Sequence, residues 1–104
     1  MIKFQRITTK DATLYNYMKQ LMTASFPSEE YRPLEELRNY TDTKTHFYCN
    51  IILHHDTPVG FITYWDFGHF YYVEHFAIDP SLRNGGHGKN VLNHFCLLYT
   101  SPSP

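Results

Sequence analysis

The sequence predicts an α+β domain of order β-α-α-β-β-β-α with a mainly antiparallel sheet. Three observations carry that reading. Apolar residues between Leu14 and Met22 recur at helical spacing, whereas from Phe47 onward the pattern shortens to that of strands. His55-Asp56-Thr57-Pro58 and Gly68-His69 separate the strand-like runs, which makes them a meander joined by tight turns. A glycine-rich junction, Gly85-Gly86-His87-Gly88, then leads into a final apolar-striped helix.

The elements follow in order. Ile2 to Ile7 alternates and reads as a short strand. Thr8 or Thr9 suits a helix cap, with Asp11 favourable in the first turn. Leu14, Tyr17, Met18, Leu21, Met22 and Ser25 mark one helix face, and Pro27 stops it. Ser28 to Arg32 is a polar link. Pro33 suits the first turn of a second helix, with Leu34, Leu37 and Tyr40 on one side. Asp42 to Thr45 reads as loop. Phe47–His54, Val59–Phe67 and Phe70–Ile78 are strands rich in aromatic and β-branched residues. Gly60 marks a bulge or a close backbone approach. Val91, Leu92 and Phe95 are the inward face of the last helix.

With 104 residues the chain holds one small domain, and 42% hydrophobic and 17% aromatic residues suffice for a core. A formal net charge of −1 argues against nucleic-acid or membrane-surface binding, which needs a basic face. No apolar run approaches the roughly 20 residues of a membrane span. The N-terminal residues do not read as a secretory signal, and two cysteines make no disulfide framework, so a cytoplasmic setting is expected. The seven histidines show no paired zinc-ligand spacing, so no metal site is expected.

Cys96 to Pro104 matches, residue by residue, the translation of a transposon end and adapter used in sequencing libraries. The expectation is therefore a native domain over residues 1–95 and a non-native tail over 96–104. The other reading is a natural helix end with a Pro-Ser tail.

The most informative stretch is Tyr72 to Lys89. It reads as a buried strand, an exit marked by Asp79-Pro80, a glycine loop and a helix start. Gly86 and Gly88 lack Cβ, so backbone can approach a ligand closely there. Successive N–H groups from Asn84 to Lys89 can form a nest for a phosphate or pyrophosphate. The plain alternative is a glycine turn that caps a helix.

Phe76-Ala77-Ile78-Asp79-Pro80 followed by Arg83-Asn84-Gly85-Gly86-His87-Gly88, together with the element order, resembles the GNAT superfamily of acyl-CoA-dependent N-acetyltransferases. Arg83, Gly86 and Gly88 fill the defining positions of that family's Gln/Arg-x-x-Gly-x-Gly/Ala motif. The resemblance covers residues 1 to about 95 and implies a fold fragment that lacks the family's C-terminal strands and helix. It implies acetyl-CoA as cosubstrate and an amine as acceptor. It assigns the backbone of Phe76, Ala77 and Ile78 to the pantetheine arm and acetyl carbonyl, in the manner of an added strand. Arg83, Asn84, Gly85, Gly86, His87, Gly88 and Lys89 fall to the pyrophosphate, with Arg83 and Lys89 either adding charge or simply solvated.

Family members place a base on this strand, two or four residues before the position of Phe76. Glu74 fits, because strand parity puts it on one face with Tyr72, Phe76 and Ile78. Glu74 is thus the expected catalytic residue, as general base for direct attack by a primary amine. The alternative is a carboxylate at a sheet edge or paired with a cation. His75 faces the other side and reads as packed or hydrogen-bonded. In the family the link between the first two helices borders the acceptor cleft. Here that link is Phe26 to Arg32, and its Glu29 and Glu30 either attract a cationic amine or are solvated. The resemblance leaves the general acid beyond the end of the chain, and the fragment itself is expected to be inactive. The rival functions are a non-catalytic CoA- or nucleotide-binding module and an interaction domain without a ligand.

Overall fold

The structure is a computed structural model that describes residues 2–85, 88–91 and 93. Four strands, β1 (Ile2–Arg6), β2 (Phe47–His54), β3 (Thr57–Asp66) and β4 (Tyr71–Ile78), form one sheet in the order β1-β2-β3-β4, with each neighbouring pair antiparallel. Helices α1 (Ala12–Ser25) and α2 (Leu34–Thr43) lie between β1 and β2 in sequence, joined by a 3-10 turn at Ser28–Glu30. A second 3-10 turn, Pro80–Gly85, follows β4, and residues 88–91 are helical. The predicted order and fold class hold.

Strand alternation splits the sheet into two apolar faces. One packs Phe47, Cys49, Ile51, Phe61 and Ala77 under Tyr15, Met18, Leu21 and Met22 of α1 and Leu37 of α2. The other gathers Ile52, Val59, Ile62, Tyr64 and Ile78 with Val91 of the final helix. On this second face a ladder crosses all four strands. Arg6 lies 3.8 Å over the Tyr48 ring, Tyr48 stacks on Tyr64 at 5.0 Å, and Tyr64 meets the edge of Tyr71 at 5.9 Å. Such cross-strand pairs fix register as well as adding stability.

Local departures from the sequence reading have physical causes. Asp11, not Thr8 or Thr9, occupies the α1 cap position. Its side chain turns back to accept the Thr8 N–H at 2.9 Å, and Thr9 is engaged by Asp42 instead. α1 buries Tyr15 as well as Met18, Leu21 and Met22, with Leu14 and Tyr17 half-buried against the same core, and α2 runs on through Thr43, where a loop is expected. There Thr41 and Thr43 hydroxyls donate to carbonyls one turn back, so they do not break the helix. The β2–β3 connection is shorter than expected: His55 (φ 51) and Asp56 (φ 64) alone make the turn. Two positive φ values are what a two-residue turn needs to match strand twist. Thr57 and Pro58 belong to β3, and Pro58 sits beside a register shift in the β2–β3 ladder. That is where a strand tolerates a missing N–H.

Candidate active site

β4 positions the site. Its one described neighbour is β3, so its other edge carries no strand among the described residues. The His75 N–H donates to Thr63 Oγ1 and the Asp79 N–H to the Val59 carbonyl, both on β3. By alternation the backbone groups of Ala77 also face β3, and those of Phe76 and Ile78 face away from it. Gly60 confirms the Ala77 direction: a Cβ there would meet the Ala77 carbonyl oxygen well inside contact distance.

Against this edge lies a cleft of about 360 Å3, lined by Ser25 and Phe26 at the end of α1, by Phe76, Ala77 and Ile78, and by Gly88 at the final helix. The sequence nominated Phe76, Ala77, Ile78 and Gly88, and the structure brings them together. It also adds Ser25 and Phe26. The Ser25 hydroxyl is buried with no hydrogen-bond partner among the described residues. Its only sequence signal is a place in the α1 stripe next to the link.

The strand exit is ordered by Asp79. Its Oδ1 accepts the Ser81 N–H and hydroxyl, and its carbonyl accepts the Leu82 N–H, so it caps the turn that begins at Pro80. The Tyr17 hydroxyl of α1 donates to Asp79 Oδ2 at 3.4 Å. Burial, reinforced by that carboxylate, pushes the Tyr17 hydroxyl up to about 12. Arg83, Asn84 and Gly85 continue the 3-10 turn in their backbone, and Lys89 is an exposed residue of the final helix. Gly86 and His87, two of the expected phosphate-loop positions, lie outside the described residues.

Glu74 does not stand where strand parity placed it. Thr63 pairs with His75 and Tyr64 with Val73, which leaves Glu74 as the extra residue of a β-bulge. The bulge resets the alternation. Glu74 and His75 both contact the α1–α2 side, whereas Phe76 packs with the opposite cluster. The expectation that Glu74 shares a face with Phe76 and Ile78 is therefore corrected, because parity arguments assume an unbroken ladder.

On that side Glu74 is fully engaged. Arg32 Nε donates to Oε1 at 2.9 Å and Nη2 to Oε2 at 2.6 Å, and Trp65 Nε1 donates to Oε2 at 2.7 Å. Arg32 also reaches Glu36 at 3.3 Å and lies 4.6 Å over the Tyr40 ring. Burial alone would raise the Glu74 carboxyl, but the hydrogen bonds from Arg32 and Trp65 and the charge of Arg32 outweigh it and hold the group below its ordinary range. The geometry is the cation-paired alternative that the sequence left open. Arg32 and Trp65 were missed as site residues. Their signals were faint: one cation in an acidic link, and the chain's single tryptophan.

His75 is packed and hydrogen-bonded, as read from the sequence. Its Nε2 is 2.7 Å from the Glu30 carbonyl, and its ring meets Phe26 edge-on at 5.0 Å. A carbonyl can only accept, so Nε2 carries a proton; Nδ1 is buried and has no hydrogen-bond partner among the described residues. Cys49 is buried, which pushes its thiol up to about 12 and makes it an inert core residue. Among the described residues no group of His, Cys, Asp and Glu could hold a metal, and no helix is long and apolar enough to cross a membrane.

A strand whose outer edge no described strand covers, a cleft against it and a Pro-marked turn toward a helix define an α+β domain with a strand-edge cleft. The comparisons specify which. The model of the acetyltransferase (GNAT) family matches residues 12–96, and the chain belongs to that family. A solved GNAT-family acetyltransferase from Bacteroides thetaiotaomicron is 58% identical and superposes with a TM-score of 0.92, over 93% of this chain and 55% of its own. The chain thus spans little more than half the length of that relative. An aminoglycoside acetyltransferase, meta-AAC0020, from an uncultured soil metagenomic sample shares the fold at 20% identity. It was solved with sisomicin (TM-score 0.66) and with trehalose (0.65), each covering 95% of this chain and 70% of the other. No curated protein matches the chain.

Proposed function

We propose that this chain supplies the acetyl-CoA half of an N-acetyltransferase that moves an acetyl group to a primary amine by direct attack. The observation that carries the reading is the open edge of β4 at Phe76 and Ile78, facing a cleft that Gly88 leaves unobstructed. The pantetheine arm would pair along that edge as an added strand. The pyrophosphate would lie at the turn from Arg83 to Lys89, the positions that match the family's motif.

The amine nitrogen then attacks the thioester carbon, the C–S bond breaks, and CoA leaves as a thiolate that takes up a proton. The amine proton passes to a base, through water where the distance requires it. Glu74 is the carboxylate on this strand. Protonation would remove the negative charge that pairs with Arg32, which favours a role in holding the site. The same pairing is the observation that favours the second reading, a non-catalytic CoA-binding module. Incubating the full-length protein with acetyl-CoA and a panel of primary amines, while following thiol release, separates the two. Transfer to any amine supports the enzyme. CoA binding without amine-dependent thiol release supports the module.

A further inference from the structure

The bulge in β4 places two consecutive side chains, Glu74 and His75, on one face, and both grip the same stretch of the α1–α2 link. His75 Nε2 donates to the Glu30 carbonyl at 2.7 Å. Two residues on, Arg32 is held by both oxygens of Glu74. Trp65 of β3 bonds the same carboxylate, and Tyr40 of α2 lies under the guanidinium, so neither partner can swing away. The link so held begins with Phe26, which touches the His75 ring and, with Ser25, forms the cleft wall opposite β4. An unbroken strand could not do this, because successive residues would point to opposite faces.

We propose that Glu74 and His75 are positioning residues: a two-point clamp that ties the Phe26–Arg32 link to the β4 bulge and so sets the width of the cofactor cleft. The proposal rests on the reading of that cleft as the acetyl-CoA site. It assigns the Glu74 carboxylate to Arg32 rather than to the amine proton. The charged and titratable groups around the carboxylate are Arg32 on the link, Glu36 on α2, reached through Arg32, and His75 on β4 itself.

The test uses Glu74→Gln, Arg32→Lys and the double variant in the full-length protein. Arg32→Lys keeps the charge and loses the two-pronged geometry. CoA affinity is measured by calorimetry, and the pH–rate profile of acetyl transfer is recorded. The clamp predicts a loss of about three- to tenfold in CoA affinity for each single variant. The double variant should be no worse than the weaker single one, the behaviour of two residues in one network. It also predicts a pH–rate profile of unchanged shape in all three. Loss of the profile's acid limb in Glu74→Gln but not in Arg32→Lys would make Glu74 the base and overturn the proposal, as would unchanged CoA affinity in both single variants. If the wild-type protein binds no CoA, the functional reading falls, and the clamp is judged by amide exchange instead. Exchange at the Glu30 amide, which donates to the Pro27 carbonyl, that is faster by about tenfold in Glu74→Gln supports it, and unchanged exchange overturns it.

Discussion

Gly60 shows how one residue can govern a site it does not touch. It pairs with Ile78 across the β3–β4 ladder, and the Ala77 carbonyl occupies the space its side chain would need. Because the obstacle is backbone, the strands must part to admit a methyl group. Gly60→Ala should cost about 1–3 kcal/mol, the usual range for overpacking. Urea melts of the two proteins check this, and equal midpoints would show that the close approach is relaxed at no cost. Asp56 is the opposite case. At φ 64 it holds a conformation that strains any side chain. Asp56→Gly should raise stability by up to about 1 kcal/mol. A lower melting temperature for that variant would mean that the Asp56 side chain does more than tolerate the turn. The close approach at Gly60 was legible in the sequence as an isolated glycine in a strand. The left-handed pair His55-Asp56 was not, because its neighbours Thr57 and Pro58 look equally turn-like.

Among the elements, β4 is where reading from sequence and reading from structure part. Its existence and its bounds to within a residue follow from a run of apolar and aromatic side chains. The bulge does not, since the extra residue is defined by what lies opposite it on β3, and a single strand carries no record of its partner. Every residue before the bulge was therefore assigned to the wrong face relative to Phe76, Glu74 among them. The Glu74–Arg32 pair also gives β4 a pH signature. The folded-state carboxyl titrates below its ordinary value of 4.5. Its contribution to stability is therefore complete well above about pH 4.5 and is lost as the pH falls through the depressed folded-state value. The stability gap between wild type and Glu74→Gln should be constant near neutrality and shrink on acidification. Chemical melts across that range check the sign, and a gap that widens in acid would show that Glu74 is not ionised in its pair.

At the scale of the whole molecule, one face of the sheet is covered by α1 and α2, and the other meets the final helix at Val91. Away from that helix the β3–β4 end exposes Phe67, Phe70, Tyr72 and Val73, all on or next to a strand edge that no described strand covers. Aromatic, unguarded edges template self-association. The 104-residue chain should therefore sediment as a concentration-dependent mixture, and Val73→Lys should shift it toward monomer. A wild-type chain that stays monomeric across the same range would show that the edge is already protected. The element order was legible because it is local: a period and a turn. The cleft was only half legible, because its second wall, Ser25 and Phe26, comes from a distant segment that the clamp on β4 brings into place.

The proposed CoA site is the β4 edge together with Gly88. Gly88 tests it most directly, because among the described residues a Cβ there would meet only Ile78 Cγ1, at 3.9 Å, an ordinary contact. Gly88→Val should therefore fold while its side chain fills the mouth of the cleft. Calorimetry of CoA binding to the full-length protein and to this variant is the measurement. The account predicts saturable binding by the wild type and a loss of at least about tenfold, or 1.4 kcal/mol, in a variant with an unchanged melting temperature. Wild-type protein that does not bind CoA, or a folded Gly88→Val variant that binds it equally well, would contradict it.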